Sequence, residues 1–200
     1  MEPLKLYDLE LSGNCYKARL LLNMLEVDYE RIPVGFMGGE HKSSVMLEKN
    51  PFGELPVLEF GDRVLRDSQA ILVFLVNRYG DDRWLPIEPE ANAEVMQWLM
   101  VAENEIARGP NDARLHDLFG YDLDVEAARK RADDILRILE AHLLKQPWLC
   151  VGHPTIADIA CFPYVALSHE GGVDLTPYSA VGAWIERIKQ LPKFISMPGL

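Results

Sequence analysis

Basic residues are the minority charge in this sequence: 20 Lys and Arg face 31 Asp and Glu, for a formal net charge of −11 at pH 7. A surface of that sign repels phosphate backbones and anionic head groups, so neither nucleic acid nor a membrane surface is expected as a partner. Cysteine is scarce as well. Cys15, Cys150 and Cys161 form neither a paired framework nor a zinc-ligand spacing, so reduced thiols and no metal are expected, with Cys150 and Cys161 as core filler. No stretch approaches the roughly 20 apolar residues of a membrane span. The opening MEPLKLYDLELSGN lacks the basic-then-apolar layout of a signal peptide, and a cytoplasmic location is the expectation. Repeats, charge blocks and low-complexity runs are missing too. What remains, 48% hydrophobic and 26% charged over 200 residues, suffices for a full core in one large or two small domains.

The first eighty residues alternate strand-like and helical runs. Leu4 to Asp8 reads as a strand, Cys15 to Leu25 as a helix and Tyr29 to Val34 as a second strand, which is a βαβ opening. Ala18, Leu21, Leu22 and Leu25 share one helical face that should pack on the sheet. After a Gly-rich polar segment at Gly35 to Ser44, Pro56 to Phe60 and Arg63 to Leu65 read as a hairpin turned at Gly61-Asp62. Asp67 and Ser68 then cap a helix through Tyr79. A linker is expected at 81–89, where Asp81-Asp82 after Gly80 and two prolines break the pattern. Beyond Glu90 the spacing predicts helices over about 90–118, 124–145, 155–168 and 178–191, a bundle covering 90–200. Thr155 and Asp158 form a capping box at the start of the third of these.

Three segments of the first domain carry chemistry together. Ser12-Gly13-Asn14-Cys15 lies between the first strand and the first helix, where free N–H groups and the helix dipole favour an anion. That anion is either the Cys15 thiolate or a bound thiol to which the Ser12 hydroxyl donates. The spacing is that of a Cys-x-x-Cys motif with serine in the exposed position. Asn50-Pro-Phe-Gly-Glu-Leu-Pro56-Val57-Leu58 places a proline at a strand start, and a cis peptide there would leave the Val57 backbone to pair with a peptide ligand. Arg66-Asp67-Ser68 sets a carboxylate and a hydroxyl at a helix start, a site for the ammonium and carboxylate of a free α-amino acid, or simply an N-cap.

In this order and separation the segments resemble the cytosolic glutathione transferases over essentially the entire chain. Leu-Ser-Gly-Asn-Cys-Tyr-Lys-Ala-Arg is similar to that family's catalytic turn, with most likeness to its serine-type theta and zeta classes. Asn-Pro-Phe-Gly-Glu-Leu-Pro-Val-Leu is similar to its cis-proline loop, and Arg-Asp-Ser-Gln-Ala-Ile to its γ-glutamyl site. The resemblance implies a thioredoxin-like N-terminal domain over 1–80 (βαβ then ββα), followed by an all-α C-terminal domain. It also implies glutathione as co-substrate, a small hydrophobic electrophile as acceptor, and a homodimer with Phe52 as a candidate contact.

Residue by residue, the resemblance implies that Ser12 faces the glutathione sulfur, with Asn14 beside it and Cys15 as the other candidate. Val57, after Pro56, would bond the cysteinyl backbone, and Asp67 and Ser68 would hold the γ-glutamyl end. His41 and Lys42 fall where many members hold the glycine carboxylate. Tyr7 reads as packing. Two other readings accompany this one: a glutathione-dependent disulfide or peroxide reductase, and a non-catalytic binding module of the same fold.

Overall fold

The computed structural model describes residues 3–200. Residues up to Asp81 form one compact unit and Asp82–Leu200 a second.

The first unit runs β1 (Leu4–Asp8), α1 (Gly13–Met24), β2 (Tyr29–Pro33), α2 (Ser44–Lys49), β3 (Val57–Phe60), β4 (Arg63–Arg66) and α3 (Ser68–Tyr79). This is the expected βαβ followed by ββα. The sheet order is β2-β1-β3-β4, with β1 parallel to β2 and antiparallel to β3, and β3 antiparallel to β4. Strand side chains alternate between faces. Leu6 and Leu58, opposite one another, are fully buried, as are Leu20, Leu21 and Leu22 of α1 and Ile71, Leu72 and Leu75 of α3. On the other face Tyr7 and Val57 pack with Val34 and Met46. The sequence reading assigned no element to 45–49. A short helix forms there because Ser43 caps it, accepting from Met46 N at 3.4 Å, and Met46 buries its side chain under the sheet.

The second unit is all-helical: α4 (Pro89–Glu103), α5 (Asp112–Phe119), α6 (Val125–Leu143), α7 (Ile156–Ala166) and α8 (Ser179–Lys189). The single helix expected over 90–118 is instead two, separated by a π-helical turn at Ala107–Asn111. Pro110 has no N–H to continue the ladder. Gly109 is wedged on α6, where a Cβ would come within 2.8 Å of Ala132 N. The segment expected to link the units is partly docked on the second: Leu85 is buried, and Trp84 O accepts from Ile156 N at 3.0 Å.

Every residue of α7 is buried, as a helix that is apolar all round requires. The Thr155–Asp158 capping box forms, and Asp158 also accepts from Leu149 N at 3.1 Å and from Trp184 Nε1 at 2.8 Å. Among the described residues no helix is long and apolar enough to cross a membrane.

Candidate functional site

The turn between β1 and α1 is built from its own backbone outward. Ser12 has extended backbone angles, donates its N–H to Leu9 O at 3.0 Å and accepts from Cys15 N at 3.2 Å through Oγ, which makes it the N-cap of α1. Arg19, one turn into the helix and nearly buried, donates to Leu9 O at 3.2 Å and to Glu10 O at 2.8 Å. It is held in place by an ion pair with Asp8, which also pairs with Arg31. The loop leading to Ser12 is thus clamped by a buried guanidinium.

Cys15, one of the two candidates for the sulfur chemistry, belongs to the core. It is fully buried, and its Sγ accepts from Leu9 N at 3.4 Å. Burial, reinforced by the Asp8 carboxylate, pushes its thiol up to about 12, which favours the protonated form at neutral pH. The favourable helix terminus does not offset that desolvation. Cys150 and Cys161 are buried as expected.

In the second segment Asn50, 2% exposed, organises the loop. Its Nδ2 donates to Glu54 O at 2.9 Å, and its Oδ1 accepts from Phe52 N at 3.1 Å. The Leu55–Pro56 peptide is cis. Proline stands just ahead of Val57, the first residue of β3 paired to Tyr7 and to Arg66, so no ladder bond is lost at an interior strand. Lys42 crosses this loop, donating to Phe52 O at 2.8 Å, and lies so close over Gly53 that a Cβ there would meet it at 2.5 Å. His41 stacks on Phe36 with ring centroids 4.0 Å apart. Burial and the Lys42 charge hold its imidazole below the usual range.

In the third segment Asp67 is exposed and caps α3, accepting from Ala70 N at 3.0 Å through Oδ1. Its φ of +73° is a region a non-glycine residue enters only under constraint. Ser68 is buried, with its Oγ 2.5 Å from Gln69 Oε1 and 3.4 Å from Asn14 Oδ1. Asn14 Oδ1 also accepts from Lys17 Nζ at 2.8 Å. The first and third segments therefore meet at Asn14.

Among the described residues, the buried polar side chains of this unit are Asp8, Lys17, Arg19, Asn50, Ser68 and Gln69, all in the three segments or beside them. Buried polar groups are tolerated only where they are bonded, and here the three segments supply their own and one another's partners. The sequence reading passed over four of them. Asp8 and Arg19 find each other across the strand–helix turn. Lys17 and Gln69 entered only as members of the motifs quoted for the resemblance. The only sequence-level signal was that Lys17 and Arg19 lie on a helix whose other residues are largely apolar. Tyr7 donates its hydroxyl to Glu59 at 3.1 Å, which accords with the packing role read for it. Among the described residues no three His, Cys, Asp or Glu side chains gather as a metal site.

Comparison with known proteins gives one consistent answer. The family described as "Glutathione S-transferase, N-terminal domain" matches residues 6–83, and "Glutathione S-transferase, C-terminal domain" matches residues 122–187. Glutathione S-transferase 3 of Zea mays is 32% identical, across 97% of this chain and 92% of that one. A crystal structure of glutathione S-transferase from Pseudomonas fluorescens Pf-5 superposes with a TM-score of 0.92 at 34% identity, covering 98% of both chains. A glutathione transferase homologue of Drosophila mojavensis, solved with bound glutathione, gives 0.87 at 28% identity over 96% of this chain and 90% of that one. With both domain families in order and such likeness along nearly its whole length, the chain belongs to the glutathione S-transferase family.

Proposed function

We propose that this transferase holds glutathione across the Ser12 turn, the start of β3 and the Asp67–Ser68 helix start, and that its thiolate attacks a small hydrophobic electrophile. The observation that carries the reading is the double use open to the Ser12 hydroxyl. One lone pair caps α1 by accepting the Cys15 N–H, which leaves the hydroxyl proton for a sulfur anion. Capping and activation are therefore compatible, and the cap itself fixes where the proton is offered.

The remaining roles follow from charge. The Asp67 carboxylate suits the γ-glutamyl ammonium, and Ser68, at the N-terminus of α3, suits its carboxylate. Val57, following cis Pro56, is assigned to the cysteinyl backbone. Lys42 keeps two further N–H donors beyond its bond to Phe52 O, and with His41 is assigned to the glycine carboxylate. Asn14 stands between the sulfur and γ-glutamyl ends, and Cys15 takes no part in bond making. In the reaction the thiol proton passes to solvent. The sulfur then forms a bond to the electrophilic carbon as its leaving group departs. The burial of Cys15 disfavours a mixed disulfide on the protein's own thiol. We propose further that two copies associate, with Phe52, an exposed aromatic under the Arg66 guanidinium, as a contact.

Ser12→Ala tests the reading. Losing the donor should raise the thiol pKa of bound glutathione by about one to two units and lower turnover at pH 7 several-fold to tens-fold. Ser12→Gly should do the same while weakening the cap by only a few tenths of a kcal/mol, roughly. An ultraviolet thiolate titration unchanged in both variants would remove Ser12 from the mechanism.

A further inference from the structure

Lys17 lies on α1 at 1% exposure, one helical turn after Asn14. An ammonium carries three donors and no acceptor, so the Asn14 atom 2.8 Å from it must be the carbonyl oxygen. The lysine thereby fixes which way the Asn14 amide points. The same oxygen lies 3.4 Å from Ser68 Oγ, the hydroxyl assigned above to the γ-glutamyl carboxylate.

Ser68 owns a single proton, and two carbonyl oxygens compete for it: Gln69 Oε1 at 2.5 Å and Asn14 Oδ1 at 3.4 Å. With Lys17 donating to Asn14 Oδ1, that oxygen has a charged donor of its own and draws little on Ser68. A carboxylate arriving beside Ser68 then meets a positive charge on the far side of the Asn14 amide. In the poorly solvated interior that charge acts over several ångströms with far less screening than in water.

We propose that Lys17 is a positioning residue for the γ-glutamyl carboxylate of glutathione, holding the Asn14 amide in place beside Ser68 and adding positive potential there. The proposal rests on the Ser68 assignment made above. It gives α1 two separate duties: its N-terminus faces the sulfur, and its buried lysine serves the other end of the same tripeptide.

The test pairs a protein change with a ligand change. The full-length protein is titrated with glutathione and with 4-aminobutyryl-cysteinyl-glycine, the analogue lacking only the α-carboxylate. Lys17→Met should weaken glutathione binding and raise its KM about tenfold. It should leave the analogue's affinity, kcat at saturating glutathione and the thiol pKa of bound glutathione unchanged. Lys17→Arg should restore most of the affinity. Lys17→Gln keeps a donor to Asn14 without the charge, and serves in place of the methionine variant should that one not fold. Equal weakening of both ligands, or of neither, overturns the proposal while leaving the transferase reading intact. If the unaltered protein binds no glutathione, that reading falls, and this one with it.

Discussion

Asp158 offers the sharpest test of how the helical unit is held together. Its two carboxylate oxygens divide the work. Oδ1 accepts from Leu149 N at 3.1 Å and from Trp184 Nε1 at 2.8 Å, while Oδ2 accepts from Thr155 N at 2.9 Å. All three donors belong to residues no more than 1% exposed. Asp158→Ala would orphan three buried N–H groups, each costing about 1–3 kcal/mol when left unmade. Water entering the vacated space relieves part of this, so the expected loss is about 3–5 kcal/mol. Asp158→Asn keeps an oxygen for Leu149 and Trp184 but turns an NH2 toward Thr155 N, so about 1–3 kcal/mol should be lost. Trp84, Trp98, Trp148 and Trp184 are all the tryptophans of the chain, and all fall within Asp82–Leu200. Tryptophan fluorescence in a urea titration therefore reports this unit. A loss below about 1 kcal/mol in the alanine variant, or an asparagine variant as damaged as the alanine one, would refute the assignment of bonds.

Three further outcomes follow from the first unit. Because burial raises the Cys15 thiol from 9.0 to about 12, the unfolded chain ionises before the folded one does, and stability should fall as pH rises across that window. Cys15→Ala should flatten the alkaline fall by about 1.4 kcal/mol per pH unit; a slope identical to that of the unaltered protein would mean the thiol is not sequestered. In the same vein, native protein should show no fast-reacting thiol at pH 8. Tyr7→Phe removes the hydroxyl's bond to Glu59 and its contact with Lys49, so it should cost about 0.5–1.5 kcal/mol of stability and leave turnover within about twofold. A tenfold loss of kcat would place that hydroxyl at the sulfur.

Local pattern carried the four strands and two longer helices of the first unit, the hairpin at Gly61 and the Thr155–Asp158 cap, because each depends on residues a few positions apart. It also carried the three segments proposed to hold glutathione, each a turn or cap whose chemistry is written in consecutive residues. Periodicity alone merged α4 and α5, since the apolar spacing continues through Gly109-Pro110. The break becomes visible only when Gly109 is seen pressed on the Ala132 backbone. α2 was missed because six residues are too few for a helical period to show.

What the amino-acid order settled by itself, then, was which groups stand at the helix starts and strand ends, since caps and turns are local hydrogen-bond problems. Which of those groups are free to act was decided by the folded structure. The burial of Cys15, the Arg19–Asp8 clamp and the Lys17–Asn14–Ser68 chain are set by desolvation and by partners distant in sequence. A thiol and a hydroxyl three residues apart look equally eligible on paper. Burial beside Asp8 keeps the first protonated, while the cap leaves the second its proton to offer.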